Sequence, residues 1–106
     1  MTVEPLSISS EQDGGTHRVV AVGELDIATA GTLEQAVFDI EDDGQMIVLD
    51  LSGLSFIDST GLRLVIDLNE RYGGESDRLR VIAGSPAVER LLDIAGLRDR
   101  LPLVTP

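Results

Sequence analysis

Asp50-Leu51-Ser52-Gly53-Leu54-Ser55-Phe56-Ile57-Asp58-Ser59-Thr60-Gly61-Leu62 joins a strand to a helix. Just before it, Met46-Ile47-Val48-Leu49 is an unbroken apolar run, the pattern of a strand covered on both faces. Residues 52–58 read as a loop in which apolar residues alternate with small polar ones. A helix is expected over 59–72, stopped by Gly73-Gly74. Asp58, Ser59 and Thr60 are all N-cap types, and Asp58 is the expected cap. Gly61 falls in the first turn, where glycine costs up to about 1 kcal/mol relative to alanine. Its missing side chain would let another protein's backbone come close. A hydroxyl at a helix N-terminus is exposed, and the free N–H groups there favour an anion. Ser59 is therefore a candidate phosphorylation site.

Outward from this stretch, strands and helices alternate. Leu6 and Ile8 alternate with polar residues behind Pro5, so 2–9 is expected as a first strand, on an edge. Asp13-Gly14-Gly15 is a turn, and Val19-Val20-Ala21-Val22 lies in a second strand over 17–23, making a hairpin. Leu33, Ala36, Val37 and Ile40 mark one face of a helix over 29–42. Asp42 and Asp43 read as turn formers before Gly44.

Beyond the quoted stretch, 79–83 is the next strand. Ser85-Pro86 is an N-cap with a first-turn proline. Val88, Leu91, Leu92 and Ala95 form one face of a third helix, which Gly96 stops while Leu97 packs back. Residues 101–104 make a short last strand. This order implies right-handed parallel crossovers. The expected fold is one α/β domain over 1–106, with a mixed, mostly parallel sheet of about five strands and three helices packed on it.

A chain of 106 residues buries roughly 65% of its unfolded surface, enough for one modest core. The absence of Cys excludes disulfides, thiolate metal sites and cysteine nucleophiles. Phe38, Phe56 and Tyr72 are the only aromatics, which leaves little for stacking on bases or sugars. No apolar run approaches the roughly 20 residues that span a bilayer. Met1-Thr2-Val3-Glu4-Pro5 does not read as a signal peptide, so a cytoplasmic protein without membrane contact is expected.

Signs of an enzyme are few. No Walker A or GxGxxG motif is present, and the one histidine, His17, reads as a surface residue. Asp39, Asp42, Asp43 and Gly44 have the wrong spacing for a calcium loop and lack its last glutamate. A pair such as Asp26 and Asp58 carries no argument for glycosidase chemistry. No catalytic activity, cofactor or metal is expected.

The net charge is −11, unevenly spread. Residues 19–62 hold nine acids and no base, whereas 63–106 balance seven Arg against seven acids. Phosphates would be repelled, so nucleic acid is not an expected partner. A basic partner surface is favoured, although acidity alone serves solubility too.

Asp58-Ser59-Thr60-Gly61-Leu62, with Asp50-Leu51-Ser52-Gly53-Leu54-Ser55-Phe56 before it, resembles the signature of bacterial anti-sigma factor antagonists of the STAS-domain family. Gly23-Glu24-Leu25-Asp26 with Thr29-Ala30 resembles an earlier motif of that family. Ser85-Pro86-Ala87-Val88, and Leu91-Leu92 through Gly96-Leu97, resemble its third-helix segment. Family members usually continue into a C-terminal helix, whereas this sequence stops at Pro106.

The resemblance implies partner switching. The unphosphorylated antagonist binds an anti-sigma factor, which releases its sigma factor. That anti-sigma factor is typically an ATP-dependent serine kinase, which inactivates the antagonist at the serine matching Ser59, and a phosphatase restores it. Asp58 would orient the acceptor, Thr60 would be a secondary hydroxyl, and Asp26 would lie beside the acceptor loop. Gly61 and Leu62 complete the matched segment. Leu54, Phe56, Ile57 and Leu62 surround the acceptor; Phe56 is expected in the core, and at least one of the others exposed to the partner. The same resemblance leaves open an accessory subunit of a sensor complex or lipid transporter, a nucleotide-binding protein, and an interaction module in which Ser59 only caps.

Overall fold

Strand β3, Met46–Ile57, runs through the middle of the sheet between β2, Thr16–Leu25, and β4, Leu79–Ile82. The computed structural model describes residues 5–40 and 44–105. Strand β1, Leu6–Asp13, pairs antiparallel with β2 across the Gly14-Gly15 turn. β2 pairs parallel with β3, and β3 parallel with β4. The parallel steps are made through helix α1, Ala30–Phe38, and helix α2, Ser59–Tyr72; helix α3, Pro86–Ala95, follows β4. The architecture is thus α/β, a four-stranded mixed sheet in the order β1-β2-β3-β4 with three helices.

The fifth strand expected at 101–104 shrinks to a bridge between Val81 and Leu103. Val81 N donates to Pro102 O at 3.0 Å and Val104 N to Val81 O at 2.9 Å. Pro102 has no N–H to offer, which keeps the pairing short.

Alternation along the strands builds one closed sheet face. Val19 and Ala21 of β2, Ile47 and Leu49 of β3, and Leu79 and Val81 of β4 are buried. They share the core with Leu33 and Val37 of α1, Leu64, Val65 and Leu68 of α2, and Val88 and Leu92 of α3. The opposite face is only partly covered. Met46 and Val48 are half-buried and Val22 is exposed, so the expectation of a strand covered on both faces is corrected. Arg18 and Asp50 meet on that face, Arg18 Nη2 to Asp50 Oδ2 at 2.6 Å.

The second half of β3 departs from the expected loop. Two register shifts against β2 each insert an extra residue, after Asp50 and after Leu54. Such bulges break strict alternation. The buried positions become Leu51, Leu54 and Ile57, one in three, and the strand continues to the foot of α2.

α2 spans the expected 59–72. α3 starts at Ser85, whose Oγ accepts from Val88 N at 3.2 Å. It ends where Leu97 N donates to Leu92 O at 3.1 Å and Gly96 N to Asp93 O at 3.3 Å, the paired bonds of a Schellman end. α1 is shorter than expected: after Phe38 the bond from Ile40 N to Val37 O, 3.2 Å, tightens the last turn. The turn assigned to Asp42 and Asp43 lies outside the described residues.

Candidate functional site

The site begins with a cap. Asp58 holds an extended backbone, φ −106° and ψ −176°, and its Oδ1 accepts from Gly61 N at 2.9 Å. Its own carbonyl accepts from Leu62 N at 3.0 Å and starts the helix. Ser59 and Thr60 are therefore the first two helical residues. Ser59 is exposed and its hydroxyl makes no hydrogen bond with the described residues, whereas Thr60 is half-buried. One of the three cap-type residues caps, and the next presents its hydroxyl to solvent beside a positive helix end.

Gly61 has a structural reason different from the expected one. It is buried, and a Cβ there would lie 2.8 Å from both Leu25 Cγ and Leu25 O, and 3.0 Å from Ile57 Cγ1. The backbone that comes close is the chain's own, at the end of β2, and glycine alone fits. Asp58 N closes the same contact by donating to Leu25 O at 3.1 Å.

That contact sets Asp26, the residue after Leu25, beside the start of α2. Asp26 is tied into its own loop: its Oδ1 accepts from Ala28 N at 2.9 Å and Thr29 N at 3.2 Å. Thr29, buried, accepts from Asp26 N at 2.9 Å and donates to Glu24 O at 2.8 Å. Asp26 and Thr29 thus shape the β2–α1 loop with each other and with its backbone. At Gly23, φ +115°, a Cβ would run into Pro5 O, so the first motif also begins at a glycine forced by close packing.

The apolar residues are redistributed. Leu54, Ile57 and Leu62 are 3%, 7% and 7% exposed, and the expectation that one of them meets a partner is corrected. The bulges in β3 and the inward face of α2 turn all three into the core. Phe56, expected inside, is 47% exposed. It pairs with Glu24 across β2. Ile27, in the Asp26–Thr29 loop, is 80% exposed. An exposed phenyl ring and an exposed isoleucyl chain thus stand on the two segments that meet at Asp58. Sequence reasoning missed Ile27; its signal was a large aliphatic side chain in a polar turn.

Of the nine acids in 19–62, Asp58, Asp26 and Glu24 lie on those two segments. Glu34 of α1 lines a cleft of about 190 Å³ with Thr60, Arg63 and Asp67 of α2. Asp39 sits at the far end of α1, and Asp50 is in the sheet. The carboxyl group of Asp50 is pushed up by burial, but bonds from Ser52 Oγ at 2.6 Å and Ser52 N at 3.0 Å, with Arg18, outweigh this and hold it below its ordinary value. Among the described residues no cluster of three His, Asp or Glu side chains is placed to hold a metal. No helix there is long and apolar enough to cross a membrane.

The order of elements, the serine at the start of the Asp58-capped helix and the junction of that helix start with the end of β2 together point to one fold family. Residues 7–105 match the STAS domain, and the chain belongs to that family. Its relatives narrow the likeness. It is 30% identical over 95 residues, 89% of this chain and 88% of the relative, to the anti-sigma-B factor antagonist of Staphylococcus aureus (strain NCTC 8325 / PS 47). The same figures hold for the anti-sigma-B factor antagonist of Staphylococcus epidermidis. The crystal structure of an anti-sigma factor antagonist from Mycobacterium paratuberculosis superposes with a TM-score of 0.80 at 31% identity, covering 95% of this chain and 86% of that one. The fold is also that of the anti-sigma factor antagonist SpoIIAA in its unphosphorylated form, with a TM-score of 0.69 at 22% identity over 94% and 88% of the two chains.

Proposed function

We propose that this protein is a cytoplasmic, non-catalytic anti-sigma factor antagonist whose binding to an anti-sigma factor is switched off by phosphorylation of Ser59. The observation that carries the reading is the Ser59 hydroxyl: exposed, without a hydrogen bond to the described residues, and first in a helix whose cap is the neighbouring Asp58. The names of the relatives supply the partner class.

In the unphosphorylated state, Phe56 and Ile27 offer apolar contact around Ser59, and Asp26, Asp58 and Thr60 form its polar border. The partner is an anti-sigma factor that is also a serine kinase, and binding it frees the sigma factor. The kinase supplies nucleotide, metal and phosphate-stabilising groups; this chain supplies the hydroxyl. A phosphoryl group adds about −1.5 to −2 charges at pH 7. Placed among Asp58, Asp26 and Glu24, it brings repulsion and bulk into the contact. A phosphatase acting on phospho-Ser59 resets the switch.

The test is intact mass after incubation with the cognate kinase and Mg-ATP. One phosphate is expected, mapped to Ser59 and absent in Ser59→Ala, which still binds the partner. Ser59→Asp binds more weakly. Labelling that persists in Ser59→Ala overturns the assignment.

A further inference from the structure

Arg63 stands one turn beyond Ser59 on α2, at the i,i+4 spacing that places two side chains on one helix face about 5–6 Å apart at Cβ. A helical side chain leans towards the N-terminus, which puts the first turn, whose Thr60 lines the same cleft, within reach of the Arg63 guanidinium. Arg63 is exposed and has no hydrogen bond or ion pair with the described residues. Five other arginines are engaged, while Arg90 on α3 and Arg100 beyond it, far from Ser59 in sequence, share with Arg63 the lack of a side-chain partner among the described residues. Arg18 pairs with Asp50, Arg80 with Asp77, and Arg98 with Glu89 and Asp93. Arg71 lies over the Phe38 ring, and Arg78 bonds Gln45 O. Arg63 is the first base after a run of 44 residues, 19–62, that has none.

We propose that Arg63 is a clamp in cis for the phosphate on Ser59. The proposal rests on the reading of Ser59 as the phosphoacceptor and adds the residue that governs the phosphorylated state. The other charged groups on the surrounding elements are acidic: Asp58 at the cap, Asp26 and Glu24 on the neighbouring segment, and Glu34 of α1 with Asp67 of α2 in the cleft that Arg63 lines. A phosphate dianion there needs a cation, and the planar guanidinium binds phosphate oxygens with two parallel N–H bonds. Before phosphorylation, Arg63 rests beside Glu34 and Asp67 in the α1–α2 cleft. Afterwards it swings to the phosphate and holds it against the first turn. The phosphate then stays dianionic at neutral pH and fixed in position, so a partner meets a rigid charged group where it had met a small hydroxyl.

The test uses protein carrying phosphoserine at position 59, installed during synthesis so that no kinase is needed. The ³¹P resonance is titrated with pH in the otherwise unchanged chain, in Arg63→Gln, in Arg63→Lys and in Arg90→Gln, an exposed arginine on α3. Phosphoserine ordinarily loses its second proton near pH 6. That ionisation is expected at higher pH in Arg63→Gln than in the unchanged chain, between the two in Arg63→Lys, and unmoved in Arg90→Gln. Identical titrations in Arg63→Gln and the unchanged chain overturn the clamp. Unphosphorylated protein offered to the cognate kinase separates the two readings. Failure to label Ser59 there overturns the acceptor assignment and leaves the titration result as it stands.

Discussion

The carbonyl oxygen of Leu25 accepts the N–H of Asp58 at 3.1 Å, and the same carbonyl lies 2.8 Å from where a Cβ on residue 61 would be. One peptide group at the end of β2 thus fixes both the cap of α2 and the approach of its first turn. The two sequence motifs, 23–26 and 58–62, are a single structure joined at this carbonyl.

Gly61→Ala tests that joint. The added methyl meets backbone at Leu25 O and cannot be absorbed by a flexible side-chain end. Overpacking of this kind costs about 1–3 kcal/mol. Urea unfolding should show a lower midpoint, and partner binding should fall further than stability explains, because the helix end carrying Ser59 is displaced.

Removing the cap has a smaller, separable effect. Asp58→Ala loses the bond to Gly61 N and should cost about 1 kcal/mol by thermal melting. Asp58→Asn keeps an acceptor of equal capping strength and should melt close to the parent protein. A kinase that labels Asp58→Asn normally but Asp58→Ala slowly would show that the carboxylate matters through helix geometry, not charge.

Phe56 and Leu54 give opposite outcomes two residues apart. Phe56→Ser removes an exposed ring and should leave stability within about 0.5 kcal/mol, since surface changes are mild. Its affinity for the partner should drop, by about 2 kcal/mol if the ring is a central contact. Leu54→Ala opens a hole in the core and should cost about 2–5 kcal/mol of folding stability. Calorimetric binding with parallel denaturation curves separates the two. Unchanged affinity in both Phe56→Ser and Ile27→Ser would remove the apolar contact from the proposed interface.

Asp50 makes the fold sensitive to acid. Its carboxyl is held below the ordinary value of 3.8 in the folded chain, despite burial, by Ser52 and Arg18. The folded value lies below the unfolded one, so this contribution is fully present above the ordinary value. It is lost as pH falls through the lower, folded value. Urea midpoints from neutral pH downwards should show a shallower acid decline in Asp50→Asn than in the parent. Parallel declines would assign the acid sensitivity to other carboxylates.

How much of this was legible follows from which forces were local. α2 and α3 were readable to within a residue because Asp58, Ser85 and Gly96 act on their own neighbours. The buried face of α1 was readable from Leu33 and Val37. The second half of β3 was not, because its bulges are set by pairing with β2, and they convert alternation into a one-in-three pattern at Leu51, Leu54 and Ile57. The same bulges exchanged Phe56 for Leu54 and Ile57 as the exposed side chain. Pairing of residues 32 apart, such as Glu24 with Phe56, leaves no periodic trace. Glycine is costly at position 61 by local propensity, and only the folded chain shows that Leu25 demands it.

The acid block should steer association, by a smaller group of charges than the sequence suggests. Among the described acids of 19–62, Asp58, Asp26 and Glu24 lie on the two segments joined at Leu25 and Glu34 lines the cleft beside Thr60, whereas Asp39 lies at the other end of α1 and Asp50 is paired with Arg18. Four charges still present a negative face to a basic partner, with Arg63 and Arg18 as the cations nearest to it in sequence. Long-range attraction acts on the association rate and is screened as the Debye length falls to about 8 Å near 0.15 M salt. Dissociation depends on close contacts, the role proposed for Phe56, and should respond less. Stopped-flow binding from low to moderate salt should therefore show a falling association rate and a nearly level dissociation rate. Glu24→Gln with Glu34→Gln, both exposed or half-exposed and away from the cap, should flatten the association slope and leave dissociation alone. Phosphorylation should act on the other constant: its charge and bulk arise inside the contact and accelerate dissociation. An association rate flat across the salt range would show that these acids serve solubility and that close contacts alone choose the partner.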